Sequence, residues 1–277
     1  MDKDATIKII FGPTACGKSD FALGLARKEN CAIINIDSRQ VFKDLPLLTA
    51  APSRRELAAV PHLLYSFAPP SFDLDAQKYC RMAAQAIEGA REMGRTPLFV
   101  GGTGFYVQAL IEGLSPIPDV PRINDGTFEE LLRIDPILAA KIPPRDTQRI
   151  NRAVAVFRAT KKPLSYFQSL PRERLVDEKF RLEIMDLPIA RLESRIKERF
   201  DKMMAQGVVD QVAALPYVAE NPIEKVCGIR HIRDYVKGVI DRDEMRRRVI
   251  LDQRRYAKRQ RTFARMLFKT SAFVKES

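Results

Sequence analysis

The apolar positions fall into short unbroken runs near the N-terminus and into helical spacings elsewhere. Residues 7–12 form an apolar run that stops at a glycine, the pattern of a strand buried on both faces of a parallel sheet. In residues 18–28, Phe21, Ala22 and Leu25 recur at helical spacing, which predicts a helix with these three on its buried face. Residues 31–36 repeat the strand pattern and end at Asp37. Residues 76–93 are helical in composition, with Met82, Ala86 and Ala90 on one side. A turn at 94–96 leads into a strand over 97–100, which runs out into Gly101-Gly102-Thr103-Gly104. Strand, helix, strand, helix, strand in this order predicts an α/β fold: an open parallel sheet flanked by helices.

The texture then changes. Pro116, Pro118, Pro121, Pro143 and Pro144 bracket a short helical stretch at 127–132, which marks an insertion. A helix over 147–160 follows, then a polar connector and a further strand at 182–187. Helical patterns cover 189–206, 208–215, 231–239 and a long segment from 243 to 268. The expected organisation is a first core segment over 1–116, a small helical insertion over 117–163, and over 164–277 the rest of the core with the C-terminal helices.

Composition adds one asymmetry. Residues 1–144 hold 16 Lys and Arg against 17 Asp and Glu, whereas residues 145–277 hold 31 against 18. All of the net charge of +12 therefore lies in the second half. Clustered cations of this kind suit a polyanion, because they release counterions from phosphates; a solvated helical surface is the plain alternative. The four cysteines (Cys16, Cys31, Cys80, Cys227) form no C-x-x-C pair, which argues against a disulfide framework or a structural zinc site. With two histidines, His62 and His231, any metal is expected to be a hard cation held by oxygen; His62 reads as a satisfied core residue. No run of about eighteen apolar residues and no signal-peptide pattern is present, so a cytoplasmic monomer without a membrane partner is expected.

The sharpest chemical signal is Gly12-Pro13-Thr14-Ala15-Cys16-Gly17-Lys18-Ser19, which fits G-x-x-x-x-G-K-[ST] between a strand and a helix. Loop amides at a helix N-terminus attract phosphate oxygens, Lys18 neutralises the terminal phosphates, and the Ser19 hydroxyl is a ligand for Mg²⁺. The core is thus expected to be P-loop NTPase-like. Ligands of such sheets bind beyond the carboxyl ends of the strands, where Asp37-Ser38-Arg39-Gln40 and Gly101-Gly102-Thr103-Gly104 also lie. Three roles are open to Asp37: Mg²⁺ ligand, general base, or N-cap of a following helix.

With these residues in view the chain resembles the tRNA dimethylallyltransferases. The match runs in order through GPTACGKS, Asp37-Ser38-Arg39-Gln40-Val41-Phe42, Pro61-His62-Leu63-Leu64 and Gly101-Gly102-Thr103-Gly104-Phe105-Tyr106. It continues through Asp146-Thr147-Gln148-Arg149, Cys227-Gly228-Ile229-Arg230-His231 and Lys258-Arg259-Gln260-Arg261-Thr262-Phe263-Ala264-Arg265. The resemblance implies transfer of a dimethylallyl group from dimethylallyl diphosphate to the exocyclic amine of the adenosine beside the anticodon of a tRNA. It implies Asp37 as base, Thr103 at the reacting centre, and Lys18, the loop, Mg²⁺ and Arg230 on the diphosphate. Contacts with the tRNA anticodon stem-loop are implied for Asp37, Ser38, Arg39, Gln40, Thr103, Arg122, Gln148, Arg149, Ile150, Asn151 and Arg152. Lys225, Gly228, Arg230, Lys258, Arg259, Arg261 and Arg265 join them.

On the helix over 243–268, Arg247, Arg254, Lys258, Arg261 and Arg265 share one stripe, while Val249, Tyr256, Phe263 and Leu267 face the core. Ala51, Lys225, Ile229, His231 and Phe263 depart from the family's residues, and the insertion is shorter than usual. An adenylate isopentenyltransferase using a free nucleotide, and a P-loop small-molecule kinase, are the competing readings.

Overall fold

The computed structural model describes residues 6–270. Its centre is a five-stranded parallel sheet made of β1 (Ile7–Phe11), β2 (Cys31–Asn35), β3 (His62–Leu63), β4 (Thr96–Gly101) and β5 (Phe180–Ile184), in the order β3-β2-β4-β1-β5. The three central strands bury nearly every residue. That is why they read as unbroken apolar runs with no alternation.

Helix α1 (Lys18–Lys28) covers the sheet face that carries Ile10, Ile33, Leu98 and Val100. It does so with Ala22 and Ala26, not with Phe21, which is 46% exposed. Small residues are what let a helix lie close on a sheet, so the apolar ring at position 21 is the one left outside. Short elements that periodicity cannot detect follow β2: α2 (Pro46–Thr49), α3 (Arg54–Ala59, started by a capping box between Ser53 and Glu56) and the two residues of β3. Helix α4 (Ala76–Glu92) packs on β2 and β4 through Tyr79, Cys80, Ala83, Ala86, Ile87 and Ala90; Met82 lies off this face.

Helix α5 (Gly104–Glu112) leads to a second unit, residues 112–175, with α6 (Phe128–Ile134), α7 (Pro136–Ala139), α8 (Thr147–Thr160) and α9 (Leu164–Ser169). Its own core joins Leu131, Leu138, Ile150, Val154, Leu164 and Phe167. Buried Asp135 caps α7 through the Leu138 amide at 3.1 Å and holds the start of α9 through the Ser165 amide at 2.8 Å. The unit is wider than the expected 117–163, because Leu114 pairs with Glu173 across its base and α9 packs into its core.

The remaining helices are α10 (Ile189–Ala205), α11 (Val208–Ala213), α12 (Ile229–Val236) and α13 (Arg242–Thr270). They share a second core with the β2–α2 loop, built on Phe42, Leu45, Ile196, Phe200, Ile229, Ile232 and Val249. β5 pairs with β1 two residues ahead of the expected strand.

Candidate active site

The phosphate loop leaves β1 at Gly12, where any β-carbon would lie 2.5 Å from the Met185 carbonyl oxygen. Positive φ angles at Ala15 (65°) and Gly17 (97°) coil the loop so that α1 opens at Lys18. Lys18 Nζ donates to the Pro13 carbonyl at 3.3 Å. Burial lowers its pKa, opposed by Cys16 and Asp37 and assisted by Arg199. A buried ammonium with so little local compensation has a strong appetite for an anion.

Two parts of the loop are committed to the chain itself. The Thr14 amide donates to Gln260 Oε1 at 2.8 Å, and the Thr14 hydroxyl accepts from Arg199 Nη2 at 2.6 Å. Arg199 Nη2 also donates to Gln253 Oε1 at 3.0 Å, and Arg195 Nη1 donates to the Cys16 carbonyl at 3.2 Å. The Arg199 pKa is lowered by burial, and its Nε is buried with no partner among the described residues. Of the loop amides, that of Thr14 is thus engaged by Gln260, and Arg195 and Arg199 add two cations that sequence reading missed. They stand four apart on α10, at the margin of the apolar stripe of Leu192, Ile196, Phe200 and Met203, where arginines read as solvated surface.

Asp37 follows β2 in a turn and starts no helix, which removes the N-cap reading. Its Oδ1 accepts from the Arg39 amide at 2.9 Å. Asn35, 1% exposed, clamps its backbone: Asn35 Oδ1 accepts from the Asp37 amide at 2.8 Å and Nδ2 donates to the Asp37 carbonyl at 2.9 Å. Thr103, beyond β4, accepts from the Ser38 amide at 3.0 Å through Oγ1, and its own amide donates to the Ile36 carbonyl at 3.1 Å. Tyr256 of α13 lies beside Thr103, and burial holds its phenol well above the usual range. Helical spacing alone assigns Tyr256 only to core packing.

Lys18, Ser19, Asp37, Arg195 and Arg199 line one cavity of about 1020 Å³, together with Thr14 and Gln40. His62 also borders it, edge-on to Tyr65, with Nδ1 2.9 Å from the Val60 carbonyl. Ser19 and Asp37 offer hard oxygen donors, the type Mg²⁺ accepts beside substrate oxygens and water. Among the described residues no group of three His, Cys, Asp or Glu could hold a metal alone. Such a donor set fits an ion that arrives with a phosphate ligand.

A second cavity of about 270 Å³ brings together Arg39, Lys225, Gly228, Arg230 and Arg259 with Tyr256, Cys227 and Asp252. Burial pushes the Cys227 thiol up to about 12. Gln40, by contrast, spends its side-chain amide on the Thr49 and Ala50 carbonyls, at 3.1 and 2.6 Å. Along α13, Lys258 and Arg265 are exposed and carry no ion pair among the described residues. Three members of the expected stripe are paired: Arg247 with Glu244, Arg254 with Glu193, and Arg261 with Asp186.

The other predicted RNA contacts lie in the second unit. Arg122, Gln148 and Arg149 are exposed, Arg149 beside Asp146. Asn151 accepts from the Gly126 amide, Arg152 donates to the Pro118 carbonyl, and the Ile150 side chain is buried in that unit's core and so offers no surface.

Comparison with known proteins agrees in every direction. The IPP transferase family matches residues 40–267, and the isopentenyl transferase family matches residues 5–65. The tRNA dimethylallyltransferase of Chelativorans sp. strain BNC1 is 41% identical over 96% of this chain and 96% of its own. That of Parvibaculum lavamentivorans is 40% identical over 93% of this chain and 87% of its own. The crystal structure of the full-length tRNA isopentenylpyrophosphate transferase from Bacillus halodurans superposes with a TM-score of 0.69 at 28% identity, covering 96% of this chain and 88% of that one. In fold alone, a eukaryotic dimethylallyltransferase acting on tRNA is similar too, with a TM-score of 0.79 at 24% identity over 94% of this chain and 70% of that one.

Proposed function

The chain belongs to the tRNA dimethylallyltransferase family and is a prenyltransferase; on that premise we propose how its own residues carry out the transfer. The substrates are dimethylallyl diphosphate and the adenosine beside the anticodon of a tRNA. C1 of the dimethylallyl group forms a bond to the exocyclic nitrogen while its bond to the diphosphate oxygen breaks. The amine proton passes to the Asp37 carboxylate, and the diphosphate leaves with the electron pair. An adenine amine is a weak nucleophile because its lone pair is delocalised into the ring, so a carboxylate held within reach is worth a large factor.

One observation carries the reading: the cationic phosphate loop and a backbone-clamped carboxylate share a single cavity. Lys18, with Arg195 and Arg199 as partners around the same cavity, neutralises the leaving group. Ser19 is the side chain that would hold Mg²⁺, which supplies charge neutralisation on the same diphosphate when bound. Thr103, tied to Ser38, orients the base, and the cations of the second cavity (Arg39, Arg230, Arg259) receive the phosphates around the extruded nucleotide. Lys258 and Arg265 track the RNA backbone without reading its sequence.

The test is transfer of radiolabelled dimethylallyl from its diphosphate to an anticodon stem-loop, with AMP in a parallel reaction. Label in the RNA with stoichiometric release of pyrophosphate is expected. Label in AMP alone, or in neither acceptor, refutes the proposal.

A further inference from the structure

Helix α13 presents Lys258 and Arg265 outward, yet it sends two glutamines inward. Gln253 and Gln260 lie seven residues apart on the face that also buries Val249, Ala257 and Ala264, and they are 3% and 4% exposed. A buried amide needs partners for both its oxygen and its nitrogen. Gln260 finds them on two different loops: Oε1 accepts from the Thr14 amide at 2.8 Å, and Nε2 donates to the Gly102 carbonyl at 2.9 Å. Because one partner is a donor and the other an acceptor, one orientation of the amide satisfies both. Thr14 belongs to the phosphate loop, and Gly102 directly precedes Thr103. A β-carbon on Gly102 would fall 2.0 Å from Gln260 Nε2, so the glycine is required by the glutamine.

We propose that Gln260 is a positioning residue of the transfer. It bolts the loop that holds the leaving group to the loop that holds Thr103, and thereby sets the separation between diphosphate and acceptor amine. It touches neither reactant. Three features distinguish this from general core packing. The bridged groups are main-chain atoms of two site loops. Gln253 reaches the same threonine independently, through Arg199. An amide stands where the neighbouring helix positions are apolar, at the cost of burying polar atoms.

The rate part of the inference rests on the proposed prenyl transfer; the binding part does not. Gln260→Ala and the isosteric Gln260→Glu are compared with the unaltered protein in three measurements: single-turnover transfer at saturating substrates, calorimetric affinity for inorganic pyrophosphate, and affinity for the stem-loop. The glutamate variant keeps an acceptor for the Thr14 amide but sets a second acceptor against the Gly102 carbonyl, so it decides the matter should the alanine variant fold poorly. A loosening of the order of an ångström lowers the rate about tenfold to a hundredfold, and the same loosening weakens pyrophosphate severalfold while RNA affinity stays within about twofold.

Gly102→Ala provides an independent check. Alone it is at least as damaging as Gln260→Ala; added to Gln260→Ala it costs little more, because the 2.0 Å clash is gone and the Gly12 carbonyl at 3.0 Å can shift by a few tenths of an ångström. Unchanged rate and pyrophosphate affinity in both Gln260 variants overturn the proposal. So do losses that fall equally on RNA affinity and melting temperature, or Gly102 and Gln260 losses that simply multiply. Absence of transfer in the unaltered protein would sink the functional reading, while the pyrophosphate affinities would still decide the clamp.

Discussion

Replacing Asp37 by asparagine removes a proton acceptor and leaves its surroundings in place. The turn bond from the Arg39 amide to Oδ1, at 2.9 Å, is retained by the amide oxygen of asparagine. The backbone is held from the other side by Asn35 at 2.8 and 2.9 Å, independently of the side chain at 37. Folding stability should therefore move by no more than about 0.5 kcal/mol. Asp37 also opposes the burial-driven lowering of the Lys18 and Arg199 pKa values, and it lines the cavity proposed to hold the polyanionic leaving group. Its neutralisation relieves that repulsion, so the KM for dimethylallyl diphosphate should hold or fall. The transfer step itself loses a general base, worth about 10²–10⁴ in rate, or roughly 3–5 kcal/mol of barrier. The assay is single-turnover prenylation of the stem-loop at saturating diphosphate, paired with a urea melt. A rate within about threefold of the unaltered protein, with an unchanged melt, would mean that Asp37 takes no proton. Asp37→Ala is a poorer probe, because it also deletes the turn bond.

Three further outcomes follow from the same geometry. Arg199→Met leaves the Thr14 hydroxyl and Gln253 without their donor and removes a buried cation; pyrophosphate affinity by calorimetry should fall about tenfold to a hundredfold, and an unchanged affinity would exclude Arg199 from the site. Alkaline titration should destabilise the fold. Burial raises Cys80 and Cys227 from 9.0 to about 12 and also raises Tyr65, Tyr79, Tyr106 and Tyr256, so the unfolded chain ionises first. The stability these groups hold below pH 9 is then lost between about pH 9 and 12; Lys18 and Arg199, both lowered by burial, act in the opposite sense but are outnumbered, and urea midpoints that rise across this window would contradict the burial of these groups. For stem-loop binding, Lys258→Ala and Arg265→Ala should each reduce the slope of log K against log salt by about one, and Arg261→Ala by less because Asp186 already holds it; equal slopes for all three would remove the distinction.

How much of this could be read from the residues divides along physical lines. The central strands and the phosphate loop were legible because burial on both faces and a glycine-bounded anion cradle leave dense local patterns. Asp37 and Thr103 were legible because each ends such a strand. Asn35, Gln260 and Arg199 were not. Their roles are set by partners 2 to 246 positions away, and each sits on an element whose periodicity points to something else. Asn35 hides inside a strand and Arg199 on a polar helix face. Gln253 and Gln260 did leave a trace, as two amides seven apart on an otherwise apolar stripe, and a buried-polar reading of that stripe would have found them. The cationic stripe of α13 was legible only in part: spacing reveals which arginines share a face but not that carboxylates outside the helix already hold Arg254 and Arg261.

The order of strands explains why a phosphate loop can serve carbon–nitrogen chemistry in this fold. Enzymes that move phosphoryl groups hold Mg²⁺ between the loop and an acidic residue on a companion strand. Here β1 lies between β5, beyond which Asp186 is paired with Arg261, and β4, which ends in Gly101-Gly102-Thr103 with no carboxylate. The acid is one strand further, at the end of β2. Neighbouring strands lie about 4.8 Å apart, so roughly 10 Å separates the line of the loop from the line of Asp37. That spacing leaves room for an allylic carbon between a diphosphate held by the loop and a purine amine facing the acid. Thr103 occupies the strand in between, and Gln260 reaches under it to the loop. On the proposed reading the interposed strand turns a metal ligand into a base: moving the carboxylate one strand outward takes it away from the leaving group and sets it against the nucleophile.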